Sequence, residues 1–267
     1  MSTVLLDTPE DGIGVLTLNR PERLNAITTE LIEDMHRTLD AIEANDKLRV
    51  IILTGAGRGF CAGYDLKASD EVLDSASGNA VAKGIRGQER LAAIVTRLYK
   101  LRQPVIAAVN GPAAGGGFAL VLAADLRLAA SSANFHVANA RIGLSAGECG
   151  ISWLFPRLVG LSRCYELMLT GRPFDAVEAE RIGLVSRLTD DHALMDEALA
   201  LARTIAANAP FGVRMTKQLV THGLAIADLE TAIQMENRTQ VLCALTGDVD
   251  EAMRAFREKR PASFQTA

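Results

Sequence analysis

Three consecutive glycines, Gly115-Gly116-Gly117, stand between an apolar run typical of a strand and a second one typical of a helix. Glycine destabilises a helix interior, so its presence here suggests a specific purpose. A strand, a glycine turn and a helix present free backbone N–H groups at the positive end of the helix. The stretch matches neither GxGxxG nor GxxxxGK[ST], so it favours an anion other than a nucleotide phosphate.

A second glycine turn follows an earlier strand, within residues 57–68, GRGFCAGYDLKA. The turns at the carboxyl ends of neighbouring parallel strands open on the same crevice. We therefore expect one backbone N–H group from each turn to converge on a developing oxyanion, such as the oxygen of a thioester enolate. Such a donor contributes about 3 kcal/mol to the stability of the transition state. The alternative is that these glycines only permit close helix packing.

The surrounding elements alternate between strand and helix patterns. Residues 12–19 and 49–55 predict strands, and the segment between them predicts an amphipathic helix capped by Thr28 or Thr29. A long helix is predicted over 79–101, then a strand from Val105. Further strands are predicted over 125–130, 133–138 and 184–189, before a helical remainder with breaks at Pro210 and Gly223. This order indicates an α/β fold with a parallel sheet.

Composition excludes several classes of function. The net charge of −4 and the isoelectric point near 5.7 argue against nucleic acid or an anionic membrane surface as a partner. The four cysteines lack metal-ligand or disulfide spacing, so we expect reduced thiols and no metal. The N-terminal segment has no export signal and no apolar run is long enough to span a bilayer, so we expect a cytoplasmic protein.

Five segments, in this order, resemble the enoyl-CoA hydratase/isomerase, or crotonase, superfamily over essentially the whole chain. They are LTLNRPERLNAI, GFCAGYDLKA, PVIAAVNGPAAGGGFAL, LTGRPFDAVEAERIGLVSRL and FREKRPASF. The resemblance implies a spiral of ββα repeats, with an acyl-CoA site in a core over residues 1–195. It implies a helical region over 196–267 that covers the site and mediates trimers, often paired into hexamers. Coenzyme A would enter as part of the substrate, with no separate cofactor.

The resemblance also assigns roles to residues. It implies that the backbone N–H groups of Tyr64 and Gly116 form the oxyanion hole, with Gly115 beside them. It implies coenzyme A contacts at Arg23, Leu24, Ala62, Asp65, Leu66, Lys67, Phe256 and Lys259, the last two sometimes supplied by a neighbouring subunit. For the three basic residues of this set, a solvated surface charge is the alternative.

The chain departs from the hydratases of this family at two positions. Ala119 and Asn139 stand where those enzymes carry glutamates, and neither can act as a carboxylate. Glu148 remains, at the position where certain family isomerases place a catalytic carboxylate. In an apolar pocket lined in part by Trp153 its pKa should be raised, which suits a group that removes and returns a proton. Its alternative role is an N-cap or an acid in the first turn of a helix starting near Ile151.

These observations favour isomerisation of a fatty enoyl-CoA over two-glutamate hydration. Asn139 can hold a water without accepting its proton, and Arg141 can pair with an acid near the site. Cys61 and Cys149 have no His/Asp partner pattern that would make them nucleophiles, and a structural role is expected for His136. The alternatives are a hydratase with a non-standard site, a non-catalytic acyl-CoA binder, and a thioesterase or decarboxylase. Residues 69–84 are expected to form a loop over the pocket or a plain connector.

Overall fold

The computed structural model describes residues 2–65 and 80–264. In this part of the chain nine strands are present: β1 Val4–Glu10, β2 Ile13–Leu18, β3 Val50–Gly55, β4 Val105–Val109, β5 Ala113–Ala114, β6 Leu126–Ala130, β7 Asn134–His136, β8 Phe174–Asp175 and β9 Arg187–Thr189. The main sheet has the order β1-β2-β3-β4-β6-β9, and a small sheet has the order β5-β7-β8. Only β1 is antiparallel to its neighbour in the main sheet.

The same part of the chain contains ten α-helices: α1 Thr29–Ala44, α2 Ala80–Lys100, α3 Gly116–Ala123, α4 Ile151–Val159, α5 Leu161–Thr170, α6 Ala176–Arg181, α7 Leu194–Ala206, α8 Pro210–Gly223, α9 Leu229–Ala244 and α10 Asp248–Glu258. Thr28 caps α1, its side chain accepting a hydrogen bond from the Leu31 N–H at 3.2 Å, as the sequence predicts. Of the segment 69–84, residues 80–84 begin α2, and the rest lies outside the described residues.

Helices cover both faces of the main sheet. Every residue of β3 and β4 is buried, which agrees with the continuous apolar runs expected of central parallel strands. On one face α1, α2 and α3 contribute to the larger core. On the other face α7 packs through Leu194, Ala198 and Ala202. The mixed α/β fold with a mainly parallel sheet expected from the sequence is therefore present.

The helices after Pro210 differ from the rest, because α8 and α9 contain no buried residue. Since α7 completes one face of the sheet, the boundary expected at residue 195 would separate it from the layer it belongs to. We therefore propose that the C-terminal appendage starts at Pro210. Among the described residues, none of the helices is both long enough and apolar enough to cross a membrane.

Candidate active site

The two glycine turns lie in contact at the carboxyl ends of β3 and β4. These strands are parallel neighbours, as expected. Cys61 pairs with Ala113 as in a parallel ladder, and the Ala114 N–H donates to the Cys61 carbonyl at 2.9 Å. A Cβ on Gly117 would lie 2.3 Å from the Cys61 carbonyl oxygen, and one on Gly63 would lie 2.8 Å from that of Ala114. Both positions therefore require glycine for the turns to approach this closely.

The Tyr64 N–H points away from Ile27, the residue with which Tyr64 pairs. Ile27 lies on the opposite side of the segment: its N–H donates to the Gly63 carbonyl at 2.8 Å, and its carbonyl accepts from the Asp65 N–H at 2.9 Å. In a parallel ladder, the residue between two such bonds directs its own N–H and C=O the other way. Tyr64 is that residue, and its N–H has no backbone acceptor among the described residues.

The Gly116 N–H is the first in α3. Gly115 precedes it with φ of 47°, a left-handed conformation that favours glycine, and donates its own N–H to the His136 carbonyl at 3.1 Å. As the first residue of the helix, Gly116 has no intrahelical acceptor, and none is present in the backbone of the described residues. Tyr64 and Gly116 each follow their paired residue, Cys61 or Ala113, by three positions, so the two donors occupy equivalent positions in the two contacting turns.

Glu148 brings a carboxylate to the glycine turn that contains Gly115. A Cβ on Gly115 would lie 3.0 Å from Oε1 of Glu148, so the carboxylate lies directly against the residue before Gly116. The N-cap of α4 is Gly150, and no side chain caps that helix, which rules out the capping role considered for Glu148. Burial raises the pKa of Glu148, while the hydrogen bond from Asn139 Nδ2 to Oε1, 2.7 Å, opposes the rise.

A cluster of phenylalanines fixes the elements that carry these groups. Phe118 of α3 packs edge-to-face against Phe135 of β7, Phe155 of α4 and Phe174 of β8, with ring centroids 5.1 to 6.1 Å apart. Three of the four rings are fully buried and Phe174 nearly so. Because the functional groups lie on or next to packed helices and strands, the relative positions of the backbone donors and the carboxylate are fixed.

A pocket opens between one face of α2 and the loop before α4. Its lining residues are Ile85, Gln88, Glu89, Ala92, Asn139, Leu144, Ser145, Gly147, Glu148, Cys149 and Gly150. The four residues from α2 follow the spacing i, i+3, i+4, i+7, so they share one helix face. The expectation that Trp153 lines this pocket is wrong. Its ring packs edge-to-face on Tyr99, and the Arg157 guanidinium stacks 3.8 Å from its centroid.

The cysteines beside the site are protonated thiols. Burial raises the pKa of Cys61 to about 12 and, with help from the Glu148 charge, that of Cys149 to about 12 as well. Neither is available as a thiolate at neutral pH, in agreement with the sequence. Cys149 adopts a left-handed φ of 46°, which turns the chain between Glu148 and α4.

Comparisons with known proteins decide the family. The family model described as "Enoyl-CoA hydratase/isomerase" matches residues 8–267. "Probable enoyl-CoA hydratase EchA12" of Mycobacterium tuberculosis is 43% identical over 265 residues, covering 99% of this chain and 93% of that protein. The "1,2-epoxyphenylacetyl-CoA isomerase" of Escherichia coli is 39% identical, with 99% of both chains covered. The crystal structure of enoyl-CoA hydratase from Bacillus anthracis matches with a TM-score of 0.92, 34% identity and 98% of both chains covered.

The chain belongs to the enoyl-CoA hydratase/isomerase family. It is a family enzyme that acts on acyl-CoA thioesters. Among the described residues, no group of three or more His, Cys, Asp or Glu side chains is arranged to hold a metal ion.

Among the residues that the family resemblance assigns to coenzyme A, four meet beside the Tyr64 turn. The Ala62 N–H donates to the Leu24 carbonyl at 2.9 Å, and Arg23 precedes Leu24 on the exposed surface. Asp65 forms an ion pair with Arg20 at 3.3 Å. Leu66 and Lys67 lie outside the described residues, so their assignment stays a prediction.

Phe256 and Lys259 are not brought to this chain's own site. Both lie in or directly after α10, and Phe256 is 81% exposed. The segment that follows is fixed at the opposite end of the sheet, where Arg49 Nη2 donates to the Phe264 carbonyl at 2.9 Å. Arg49 directly precedes β3, whereas Tyr64 follows its carboxyl end. That another copy receives Phe256 and Lys259 stays a prediction.

Three side chains were missed by the sequence reasoning, and a fourth was assigned a role that the structure does not show. Asn25 is fully buried, and its Nδ2 donates to the Gly59 carbonyl at 2.8 Å, which ties the Leu24 segment to the Tyr64 turn. The segment NRPERLN contained the signal, since a buried asparagine after an α-type turn commonly bonds to backbone. Gln88 and Glu89 gave no signal because only the fold brings α2 to the pocket. Arg141 forms no ion pair among the described residues, contrary to the role considered for it.

Proposed function

We propose that this enzyme shifts the double bond of a fatty enoyl-CoA thioester, with Glu148 carrying the proton between two carbons of the acyl chain. The observation that carries the proposal is the contact of the Glu148 carboxylate with Gly115, one residue from the free Gly116 N–H. Of the three positions where family enzymes place catalytic carboxylates, 119, 139 and 148, only the last holds one here.

The chemistry follows from this arrangement. The thioester oxygen would accept hydrogen bonds from the Tyr64 and Gly116 N–H groups. Glu148 would remove a proton from C2 of a 3-enoyl-CoA, and the C2–H electrons would form a dienolate whose negative charge lies on that oxygen. Returning the proton to C4 closes the C2=C3 bond and regenerates the carboxylate. Each donor would contribute about 3 kcal/mol because the charge appears only in the transition state and intermediate.

Burial of Glu148 supports the same role. Desolvation raises its pKa, so the carboxylate is a stronger base than an exposed glutamate while its acid form remains accessible. Hydration would need a second group to hold and deprotonate water. Ala119 is fully buried in α3, and Asn139 has no titratable proton.

The test is to incubate the protein with 3-enoyl-CoA and 2-enoyl-CoA and to follow product mass and thioester absorbance. We expect the 3-enoyl substrate to convert without a change in mass, and Glu148→Gln to lower kcat by about a hundredfold or more. Rapid addition of water to the 2-enoyl substrate that survives Glu148→Ala would contradict the proposal and favour a hydratase. Binding of both thioesters with no turnover would favour a non-catalytic acyl-CoA binder.

We also propose that copies of the chain associate through the helices after Pro210 as a trimer or a dimer of trimers. These helices expose large apolar side chains that a monomer leaves in water: Val220, Leu224, Leu229, Ile233, Val241, Leu242, Leu245, Val249, Met253 and Phe256. A patch of this extent on consecutive helices is typical of a protein interface.

A further inference from the structure

The side-chain amide of Asn139 lies between Glu148 and the glycine turn. Its Nδ2 donates to Oε1 of Glu148 at 2.7 Å. Its Oδ1 would lie 3.8 Å from a Cβ on Gly115 and has no hydrogen-bond partner among the described residues. The Asn139 backbone is fixed in the short 3-10 helix Ala138–Ile142, where its carbonyl accepts from the Leu144 N–H at 3.0 Å.

We propose that Asn139 is a positioning residue that holds the Glu148 carboxyl group in both of its protonation states and so restricts the enzyme to returning the proton to the substrate. This inference rests on the proposed function of Glu148. An amide carries both a donor and an acceptor. When Glu148 is ionised, Nδ2 donates to it; when Glu148 holds the substrate proton, a half-turn of the amide lets Oδ1 accept from the acid.

Other residue types at position 139 would hydrogen-bond to only one protonation state of Glu148, or to neither. An ionised carboxylate there can accept from protonated Glu148 but repels it once the proton has left. An apolar side chain leaves both forms without a partner in a half-buried pocket, which is unfavourable for a polar group. The Asn139 amide stays neutral in both protonation states of Glu148. The Asn139–Glu148 pair therefore exchanges a single proton with the substrate, the one carried by Glu148.

Few other charged or titratable groups face Glu148. Cys149 is its neighbour in the loop and is a neutral thiol, and Glu89 lines the pocket from α2. The Arg141 stem packs against Gly171, and the His136 ring is hydrogen-bonded to Asn134. The Asn139 amide is therefore the group that opposes desolvation of the carboxylate in the described part of the chain.

The same arrangement selects the reaction. Adding water to a double bond requires a proton to leave the water and another to reach the substrate, so two proton-carrying groups or one group serving twice are needed. Asn139 fills the place beside Glu148 from which a second group would act, and it cannot accept a proton from water. The proton taken from C2 then returns to the acyl chain.

The experiment compares Asn139→Leu and Asn139→Asp, with Asn45→Asp as the matched control at the end of α1, far from the pocket. Measured are the pH profiles of kcat and KM on a 3-enoyl-CoA. For Asn139→Leu we expect kcat to fall about tenfold to hundredfold with KM within about twofold. The acid limb of its kcat profile should move to higher pH, because the hydrogen bond that lowers the pKa of Glu148 is lost. Asn139→Asp should move that limb further and show two coupled ionisations.

A second measurement needs no turnover and separates a positioning role from a folding defect. The pKa of Glu148 is read by carbon-13 NMR titration of glutamate-labelled protein, assigned with Glu148→Gln. If Asn139→Leu fails to fold, the measurement is made on Asn139→Asp, which is isosteric with the parent and is expected to keep the fold. An unchanged pKa of Glu148 and an unchanged acid limb in the Asn139 variants would overturn the inference while leaving Glu148 as the base. Full activity of Glu148→Gln would instead overturn the proposed function.

Discussion

The environment of Glu148 sets a balance between stability and chemistry. Its carboxylate loses hydration in the pocket and gains one hydrogen bond from Asn139 in return. Desolvation is the larger effect, so the folded protein binds this proton more tightly than the unfolded chain does. A base that is held at the expense of folding stability is typical of an active site.

The first prediction concerns Glu148→Gln. Because the pKa of Glu148 is raised on folding, the protonated form favours the folded state, and ionisation removes stability as pH rises through the folded pKa. Glutamine cannot ionise and keeps an oxygen for Asn139. We expect the variant to have a higher Tm than the parent at neutral pH. The difference in Tm should vanish below the pKa that Glu148 has in the unfolded chain. Calorimetry over pH measures this, with exposed Asp11→Asn as the control.

At the scale of elements, the proposed catalysis depends on how closely two turns approach. Each turn follows a buried parallel strand. The Cys61 to Ala114 hydrogen bond joins the turns, and the Ile27 bonds direct the Tyr64 N–H away from Ile27. Gly63 has φ of 86° and touches the Ala114 carbonyl, so it determines how near Tyr64 stands to Gly116. The donors are thus placed by backbone geometry, without any contribution from their side chains.

The second prediction is therefore made for Gly63→Ala. The added methyl group meets a carbonyl oxygen at 2.8 Å in a backbone conformation that alanine disfavours. We expect the turns to separate and kcat/KM to fall about a hundredfold, since misplacement by about 1 Å has effects of this size. Steady-state kinetics on the enoyl-CoA substrate measures the loss.

Gly87→Ala is the matched control for that substitution. Gly87 lies within α2, and a Cβ there would meet nothing within 4 Å. Removing an unneeded helix glycine should stabilise the protein by about 1 kcal/mol while leaving kinetics unchanged. If Gly63→Ala has parental kinetics, the two turns do not cooperate as described.

The sequence predicts the elements with strong patterns and misses those that depend on pairing. β2, β3, β4 and the Thr28 cap follow from apolar runs and a capping residue. β1 does not, because its alternation is weak and contains Pro9, and only pairing with β2 orders it. The turns of the site could be predicted since they end neighbouring strands. The bond between Asn139 and Glu148 could not, because it requires the loop before α4 to fold back over α3.

At the scale of the whole molecule, one chain lacks a complete site if the coenzyme A assignments hold. Phe256 of α10 is exposed, and the Arg49 to Phe264 hydrogen bond fixes the segment after α10 at the end of the sheet opposite the two turns. The exposed apolar side chains of α8 to α10 would bring another copy against this region. Assembly and substrate binding would then be coupled.

The third prediction tests that coupling by co-expression of two variants, Lys259→Ala and Glu148→Gln. In a mixed oligomer, a site can combine Glu148 from one copy with Lys259 from another. We expect the co-expressed mixture to be active at low substrate concentration, where neither variant alone is active. Light scattering should give a mass that corresponds to a multiple of three subunits. The pair Glu148→Gln and Gly63→Ala is the control, since both changes affect a single chain's own donors and base. If both pairs of variants recover the same activity on co-expression, a site shared between two copies is contradicted.

The complete burial of Ala119 has a consequence for evolution. A glutamate introduced there would enter a helix whose every residue is buried, and its charge would cost several kcal/mol without nearby changes to hydrate it. Asn139 is half-buried and already hydrogen-bonded to an acid, so that position tolerates a polar replacement far better. A lineage with this packing can change position 139 in one step, but acquiring a pair of carboxylates demands prior remodelling around α3. The two positions are thus unequal in how easily each can acquire a carboxylate.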